Sequence, residues 1–92
     1  MLESKIEKDI KKYLLSLGGY VIKGDTNSST GTPDIICCLN SKFLAIEVKQ
    51  PNKSPRINQI SNLTNIRKSG GISFYSDSLE HTKSTLKQLN LI

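Results

Sequence analysis

Two apolar segments on either side of Asn40-Ser41 constrain the fold of this chain more than any other feature. Residues 34–39 (DIICCL) and 42–49 (KFLAIEVK) have the composition of strands, and a two-residue connection between them is typical of a β-hairpin. Because strand residues two apart share a face, the second strand presents two sets of side chains. Phe43, Ala45, Glu47 and Lys49 are predicted on one face, and Leu44, Ile46 and Val48 on the other.

Further helices and strands are predicted around this hairpin. Apolar residues at helical spacing indicate a first helix from Glu3 to Leu17, ended by Gly18-Gly19, and a short strand at 20–23 precedes a polar loop at 24–32. After a loop at 50–55, Pro55 is placed to open a second helix that ends at Gly70-Gly71. A strand at 72–75 follows, and Ser78 can cap a last helix. The positions predicted to be apolar faces are Ile57, Ile60, Leu63 (or Thr64) and Ile66 in the second helix, and Leu79, Leu86 and Leu89 in the last.

This order, α-β-β-β-α-β-α, predicts the α/β class, with a mixed four-stranded sheet flanked by helices. At 92 residues the chain is expected to form a single domain, residues 1–92. No apolar run approaches the roughly 20 residues needed to span a bilayer, and the N-terminus is charged where a signal peptide is apolar. We therefore expect an intracellular, cytoplasmic protein with no membrane partner.

Charge and cysteine content decide less. The formal net charge of +5 is compatible with a polyanionic partner such as DNA or RNA, but many small proteins are equally basic. Cys37 and Cys38 are neighbours in a strand and point to opposite faces, so they are expected to be free thiols. A single histidine, His81, excludes a Cys2His2 zinc site and is predicted to be a surface residue.

The chemistry is indicated by two carboxylates on neighbouring strands. Asp34 opens the first strand of the hairpin, and Glu47 and Lys49 lie near the end of the second. Asp34 and Glu47 are equidistant from the Asn40-Ser41 turn, so the hairpin puts them opposite each other. Like charges held this close repel unless a cation lies between them, and oxygen ligands of this type suit Mg²⁺ or Mn²⁺.

These residues also have a plainer structural interpretation. For Glu47-Val48-Lys49 alone, an ion pair at the solvated end of a strand is the better reading. The position of Gly31-Thr32-Pro33-Asp34 across the hairpin reverses that preference, because an apolar strand gains nothing from a buried acid opposite another acid.

With these residues in place, the chain resembles the PD-(D/E)xK (restriction-endonuclease-like) nuclease superfamily. Pro33-Asp34 and Glu47-Val48-Lys49 match the motif that names it. Within the superfamily the chain is similar to VRR-Nuc domains over its whole length: an acidic first helix, a Gly-Gly stop, a strand that ends in lysine, the Gly-x-Pro-Asp turn, Glu-x-Lys, and a helix that carries Gln59. The resemblance implies a restriction-endonuclease-like core.

The resemblance also implies roles for these residues. Asp34, Glu47 and the carbonyl of Val48 would bind Mg²⁺ or Mn²⁺, and Lys49 would position or help to deprotonate the attacking water. A further acid is expected from the first helix: the VRR-Nuc pattern favours Glu3, while the spacing to Gly18 in archaeal junction resolvases favours Glu7, and of the two we expect Glu3 to be catalytic.

Other positions are implied to support catalysis or to contact DNA. Gln59 matches a helix glutamine that supports the active-site lysine or a phosphate, although the approach to it through residues 55–58 is longer than in many relatives. Lys23, Lys53 and Arg56 are candidate phosphate contacts, each of which taken alone would more often be an ordinary surface charge.

The function implied is a DNA endonuclease. Stand-alone VRR-Nuc proteins look like homodimers that cut four-way (Holliday) junctions, and paired cuts need two active sites related by the same two-fold axis. A bacterial or phage-infected cell, and repair or phage recombination, are the expected settings. The alternatives are a catalytically inactive module that only binds nucleic acid, a nuclease acting on flaps or plain duplex, and a small structural protein with a chance motif.

Overall fold

The helices and strands occur in the predicted order. The computed structural model describes residues 2–24 and 31–92. Its elements are α1 (Glu3–Ser16), β1 (Tyr20–Lys23), β2 (Ile35–Leu39), β3 (Lys42–Val48), α2 (Ile57–Lys68), β4 (Ile72–Ser76) and α3 (Leu79–Gln88). Residues 25–30 of the predicted polar loop lie outside the described residues. Within the described part of the chain, no helix has the length and apolar character needed to cross a membrane.

The four strands form one mixed sheet in the order β1-β2-β3-β4. The β1-β2 and β2-β3 pairs are antiparallel, and β4 is parallel to β3, because α2 connects these two strands. Asn40 and Ser41 have φ angles of 52° and 66°, as the two central residues of a tight hairpin turn require. Ile35 pairs with Ile46 and Leu39 with Lys42, so the predicted hairpin register is confirmed.

Helices α1 and α3 cover one face of this sheet. The α1 residues Ile6, Ile10 and Leu14 recur every fourth position, share one side of the helix and are almost completely buried. They pack in one cluster with the predicted inner face of β3, and the cluster closes with residues from β2, α3 and the C-terminus. Its members outside α1 are Ile35, Cys37, Leu39, Leu44, Ile46, Val48, Leu86 and Leu91.

Helix α2 covers part of the opposite face, where it packs on β4 and β3. Leu63 is its buried apolar residue, as predicted. Two other predictions for α2 are wrong: Ile57 and Ile60 do not face the core but are 86% and 48% exposed. Because Arg56 is the N-cap, α2 begins at Ile57, two residues later than a start at Pro55, and the side that it turns to the sheet carries Leu63. The prediction that Leu89 faces the core is also wrong, since α3 ends before it.

Candidate active site

Asp34 and Glu47 meet at one end of the sheet. Asp34 comes immediately before β2, and Glu47 is the second-last residue of β3. The backbone N–H of Val48 donates a 2.8 Å hydrogen bond to Asp34 Oδ2. This bond ties the Asp34 carboxylate to the backbone beside Glu47, as the hairpin register predicts.

Two glycines allow the turn before Asp34 to approach its neighbours. Gly31 has a φ of +85°, and a Cβ there would lie 2.8 Å from the backbone of Asn58 in α2. A Cβ on Gly24 would lie 1.7 Å from the carbonyl oxygen of Pro33, while the Gly24 N–H donates 2.8 Å to the Asp34 carbonyl. Any larger residue at either position would displace the turn that sets the direction of the Asp34 side chain.

The Glu47 carboxylate is buried, and its two oxygens differ. Gln59 Nε2 donates a 3.0 Å hydrogen bond to Glu47 Oε2, and the Lys49 ammonium lies 3.6 Å from the same oxygen. Glu47 Oε1 has no hydrogen-bond partner among the described residues although it is fully buried. A buried carboxylate oxygen without a partner is costly, so this atom is available to a cation.

The surroundings of Glu47 disfavour its charged form. The pKa of Glu47 is raised to about 8, first by burial and then by repulsion from the neighbouring Asp34 carboxylate, against the opposing effect of Lys49. A divalent cation bound between two such carboxylates would reverse this preference. The residues therefore fit a hard, oxygen-ligated metal ion.

Lys49 is buried, and its backbone is anchored to β4. Its backbone N–H donates 3.0 Å to the Ser76 carbonyl of β4, and the Thr82 hydroxyl of α3 donates 2.8 Å to Ser76 Oγ. Thr82 and Ser76 are fully buried. Sequence reasoning missed this pair, because isolated serine and threonine residues carry no motif.

Gln59 contacts the cluster differently from what was expected. Its amide nitrogen reaches Glu47 and not Lys49, while its Oε1 accepts a 2.7 Å hydrogen bond from the Arg56 N–H at the start of α2. One side chain thus couples the first turn of the helix to the orientation of the Glu47 carboxylate.

Neither of the two candidate acids of α1, Glu3 and Glu7, joins the pair. Among the described residues, no group of three or more His, Cys, Asp or Glu side chains is arranged to hold a metal ion. Glu3 is exposed at the first position of α1. Glu7 is half-buried and lies 3.0 Å from Lys23 and 3.2 Å from Lys11. Lys23 is the last residue of β1, and the N–H of the next residue, Gly24, donates to the Asp34 carbonyl. Of Glu3 and Glu7, Glu7 is therefore the acid that is linked to Asp34 through its contacts.

The remaining basic candidates lie in or next to the chain segments that lead to and from the carboxylates. Lys53 and Arg56 are exposed in the segment that leads from Lys49 to α2. Lys23 is exposed but paired with Glu7. His81, as predicted, is at the surface, 3.9 Å from Asp77. Cys37 is buried and Cys38 exposed, and both are free thiols, as expected of neighbours on one strand.

Comparisons with known proteins identify relatives of this arrangement. The sequence model of the family described as archaeal Holliday junction resolvase (Hjc) matches residues 3–83. A solved structure named "VRR_NUC domain" is 26% identical with a TM-score of 0.82, and the alignment covers 92% of this chain and 94% of that chain. A second, named "VRR_NUC domain protein", has a TM-score of 0.79 at 16% identity, over 100% of this chain and 91% of that chain. A search of curated proteins gave no significant match. The predicted fold and the predicted resemblance to VRR-Nuc nucleases are confirmed.

Proposed function

The chain is a nuclease that belongs to the archaeal Holliday junction resolvase family, and we propose that it is a metal-dependent endonuclease cutting DNA phosphodiester bonds. The observation that carries this proposal is the state of Glu47. A buried carboxylate with one oriented oxygen and one unpartnered oxygen, beside a second carboxylate, is unfavourable for packing and well suited to a cation.

The Asp34 and Glu47 carboxylates and the Val48 carbonyl would hold Mg²⁺ or Mn²⁺. When bound, the ion would lower the pKa of a water molecule and neutralise charge on the phosphate undergoing attack. The Val48 N–H already fixes Asp34 Oδ2, and Gln59 fixes Glu47 Oε2. The protein thus orients its acidic ligands before substrate arrives, which reduces the reorganisation needed during reaction.

Lys49 supplies the positive charge of the site. Its ammonium group is largely buried, 3.6 Å from Glu47 Oε2, and its backbone is anchored to Ser76. In this position it can orient an attacking water and offset the negative charge that develops on the phosphate oxygens. Gln59 acts as a positioning residue, since its only described contacts are with Glu47 and the start of α2.

We assign the α1 acid to Glu7 in preference to Glu3. Glu7 is half-buried and connected through Lys23 to the strand end beside Asp34, whereas Glu3 is exposed one turn earlier. Glu7→Gln should lower the cleavage rate at least about tenfold, and Glu3→Gln, the matched variant on the same helix, should lower it much less. Equal effects, or a larger effect at Glu3, would reverse the assignment.

DNA is the proposed substrate because the net charge is +5 and basic residues are close in sequence to the elements that carry the acids. Lys53, Arg56 and Lys23 would contact phosphates on either side of the scissile bond. Four-way junctions cut by a homodimer are proposed from the family and from symmetry: residues 2–24 and 31–92 hold one carboxylate cluster, and paired cuts need two. The work would be done inside a bacterial or phage-infected cell, in recombination or repair.

One experiment separates this proposal from its alternatives. Purified protein is incubated with labelled four-way, flap and duplex DNA, in Mn²⁺, in Mg²⁺ and with chelator. Symmetric nicks in the four-way junction, abolished by chelator, are expected. Cutting of flaps or duplex at the same rate would remove the junction preference, and tight binding without any cutting would indicate a binding module.

A further inference from the structure

A groove at the β4 edge of the sheet is not used by the proposed reaction. It has a volume of about 520 Å³ and lies between α2 and α3, along the outer side of β4. Strand β4 is an edge of the sheet. Ile60 of α2, Phe74 and Tyr75 of β4, and His81 of α3 are among its lining residues.

The groove is connected to the active site through Tyr75. This residue pairs with Glu47 across the parallel β3-β4 register, on the face of the sheet that carries the carboxylates. Neighbouring strands are about 4.8 Å apart, so the backbones of Tyr75 and Glu47 are separated by about this distance. Tyr75 is nevertheless 43% exposed, and Ile60 opposite is 48% exposed.

The chemistry of the lining indicates the occupant. Two of the five aromatic residues in the chain line the groove: Tyr75 from the face of β4 that carries Glu47, and Phe74 from the opposite face, where it also packs against the core. The lining also includes Arg67, whose guanidinium is held by the Ser73 carbonyl at 3.0 Å and by Ser73 Oγ at 3.1 Å. None of the residues that line the groove is acidic. Aromatic surfaces with a fixed cation match a nucleobase and its phosphate.

We propose that this groove receives an unpaired base of the DNA substrate, next to the phosphate that is cut. The proposal rests on the nuclease function proposed above. In intact duplex every base is stacked and paired, and drawing one out costs a few kcal/mol. At a branch or a flap an unpaired base is already available, so the groove gives a physical reason for preferring such DNA.

The test compares two exposed tyrosines on opposite edge strands. Tyr75→Ala removes the ring from the groove, Tyr75→Phe keeps it, and Tyr20→Ala removes a 71% exposed ring from β1 as a matched control. Affinities for a flap with unpaired thymines and for the fully paired duplex are measured without divalent metal, so that no cutting occurs. Thermal melting verifies that each variant is folded, and Ile60→Glu, which adds a carboxylate to the groove, serves as a second variant.

We expect Tyr75→Ala to weaken flap binding about fivefold to a hundredfold while duplex binding is unchanged. Ile60→Glu should act in the same direction, and Tyr75→Phe and Tyr20→Ala should retain wild-type preference. With 5-iodouracil in the flap, photo-crosslinks should map to Tyr75 or Phe74. An unchanged ratio of flap to duplex affinity in Tyr75→Ala would overturn the proposal. So would a Tyr75→Ala variant that loses only self-association, because the groove would then hold a second copy.

A failure of the groove proposal can be distinguished from a failure of the proposed nuclease function. If wild-type protein cleaves DNA in Mn²⁺ but Tyr75→Ala leaves the ratio of flap to duplex affinity unchanged, the groove proposal is wrong and the nuclease function stands. If flap binding is selective and depends on Tyr75 but no metal supports cleavage, the nuclease function is wrong and the groove still binds an unpaired base.

Discussion

The two faces of the sheet are built from the same strands but differ in almost every physical property. The face under α1 and α3 is closed: its residues are apolar and buried, from Ile10 in α1 to Ile46 in β3. The face under α2 carries the buried acid Glu47, and beyond the helix it leaves Tyr20 and Phe43 exposed.

This difference shows how one strand serves two purposes. Ile46, Glu47 and Val48 are consecutive, and their side chains alternate between the core and the carboxylate cluster. The core face supplies the hydrophobic stabilisation of a 92-residue chain, whose core is thin, and the opposite face accepts an unfavourable charge arrangement. Substitutions on the two faces should therefore separate stability from activity.

The largest effect is expected at Glu47. Glu47→Ala should reduce cleavage at least about a thousandfold, equivalent to about 4 kcal/mol of transition-state stabilisation, since a metal ligand is lost. In metal-free buffer its melting temperature should stay equal or rise, because a buried unpartnered oxygen is removed. Cleavage rates and thermal melting check this, with the exposed Glu80→Gln as control. A strongly destabilised Glu47→Ala variant would mean that the face with the carboxylates also stabilises the fold, which would contradict this separation.

The next effect is expected in the core. Leu14→Ala should lower the free energy of unfolding by about 2–5 kcal/mol, because a fully buried side chain leaves a cavity. Leu15→Ala, one residue later on the same helix and 58% exposed, is the matched control and should cost far less. Urea denaturation measures both, and cleavage per folded molecule should be unchanged. If the two variants lost equal stability, the core assignment of α1 would be wrong.

A smaller effect should appear as a dependence of stability on pH. Glu47 releases its proton near its ordinary pKa in the unfolded chain but at about 8 in the folded protein. The folded state therefore binds more protons in this range, and the stability of metal-free protein should fall as pH rises from about 4.5 to about 8. Urea midpoints across this range measure it.

Two conditions should flatten this slope. Glu47→Gln removes the titrating group, and Mn²⁺ stabilises the charged form. If stability falls with pH equally steeply in Glu47→Gln, other titrating groups and not Glu47 cause the pH dependence.

The smallest effect is expected on the outside of α2. Ile57→Ser should change the free energy of unfolding by less than about 0.5 kcal/mol, because the side chain is 86% exposed. Leu63→Ser, in the same helix but buried, is the contrast and should cost several times more. Thermal melting of both variants is sufficient, and a large loss at Ile57 would indicate that this side chain is covered in solution.

Much of this arrangement follows from the sequence because it depends on local geometry. The Asn40-Ser41 turn sets the register, and the register sets Asp34 opposite Glu47, so motif and site were predictable together. The side of α2 that faces the sheet was not, because apolar spacing in that helix is consistent with more than one rotation. Ile57 and Ile60 fit the helical period yet lie on the outer side.

The parts of the site that escaped prediction depend on contacts between distant elements. The Gln59 amide could have reached Lys49, a phosphate or Glu47, and only the docking of α2 decides for Glu47. The support of Lys49 by Ser76 and Thr82 joins three elements through residues without a motif. The choice between Glu3 and Glu7 depends similarly on how α1 lies across β1, which spacing along the chain does not fix.

Calorimetric titration of metal-free protein with Mn²⁺ tests the central claim most directly. We expect one ion bound per chain in the wild type, and no measurable binding in Glu47→Gln or Asp34→Asn, although both variants remain folded. Mn²⁺ binding that survives both substitutions, or DNA cleavage that continues in chelator without any bound metal, would contradict it.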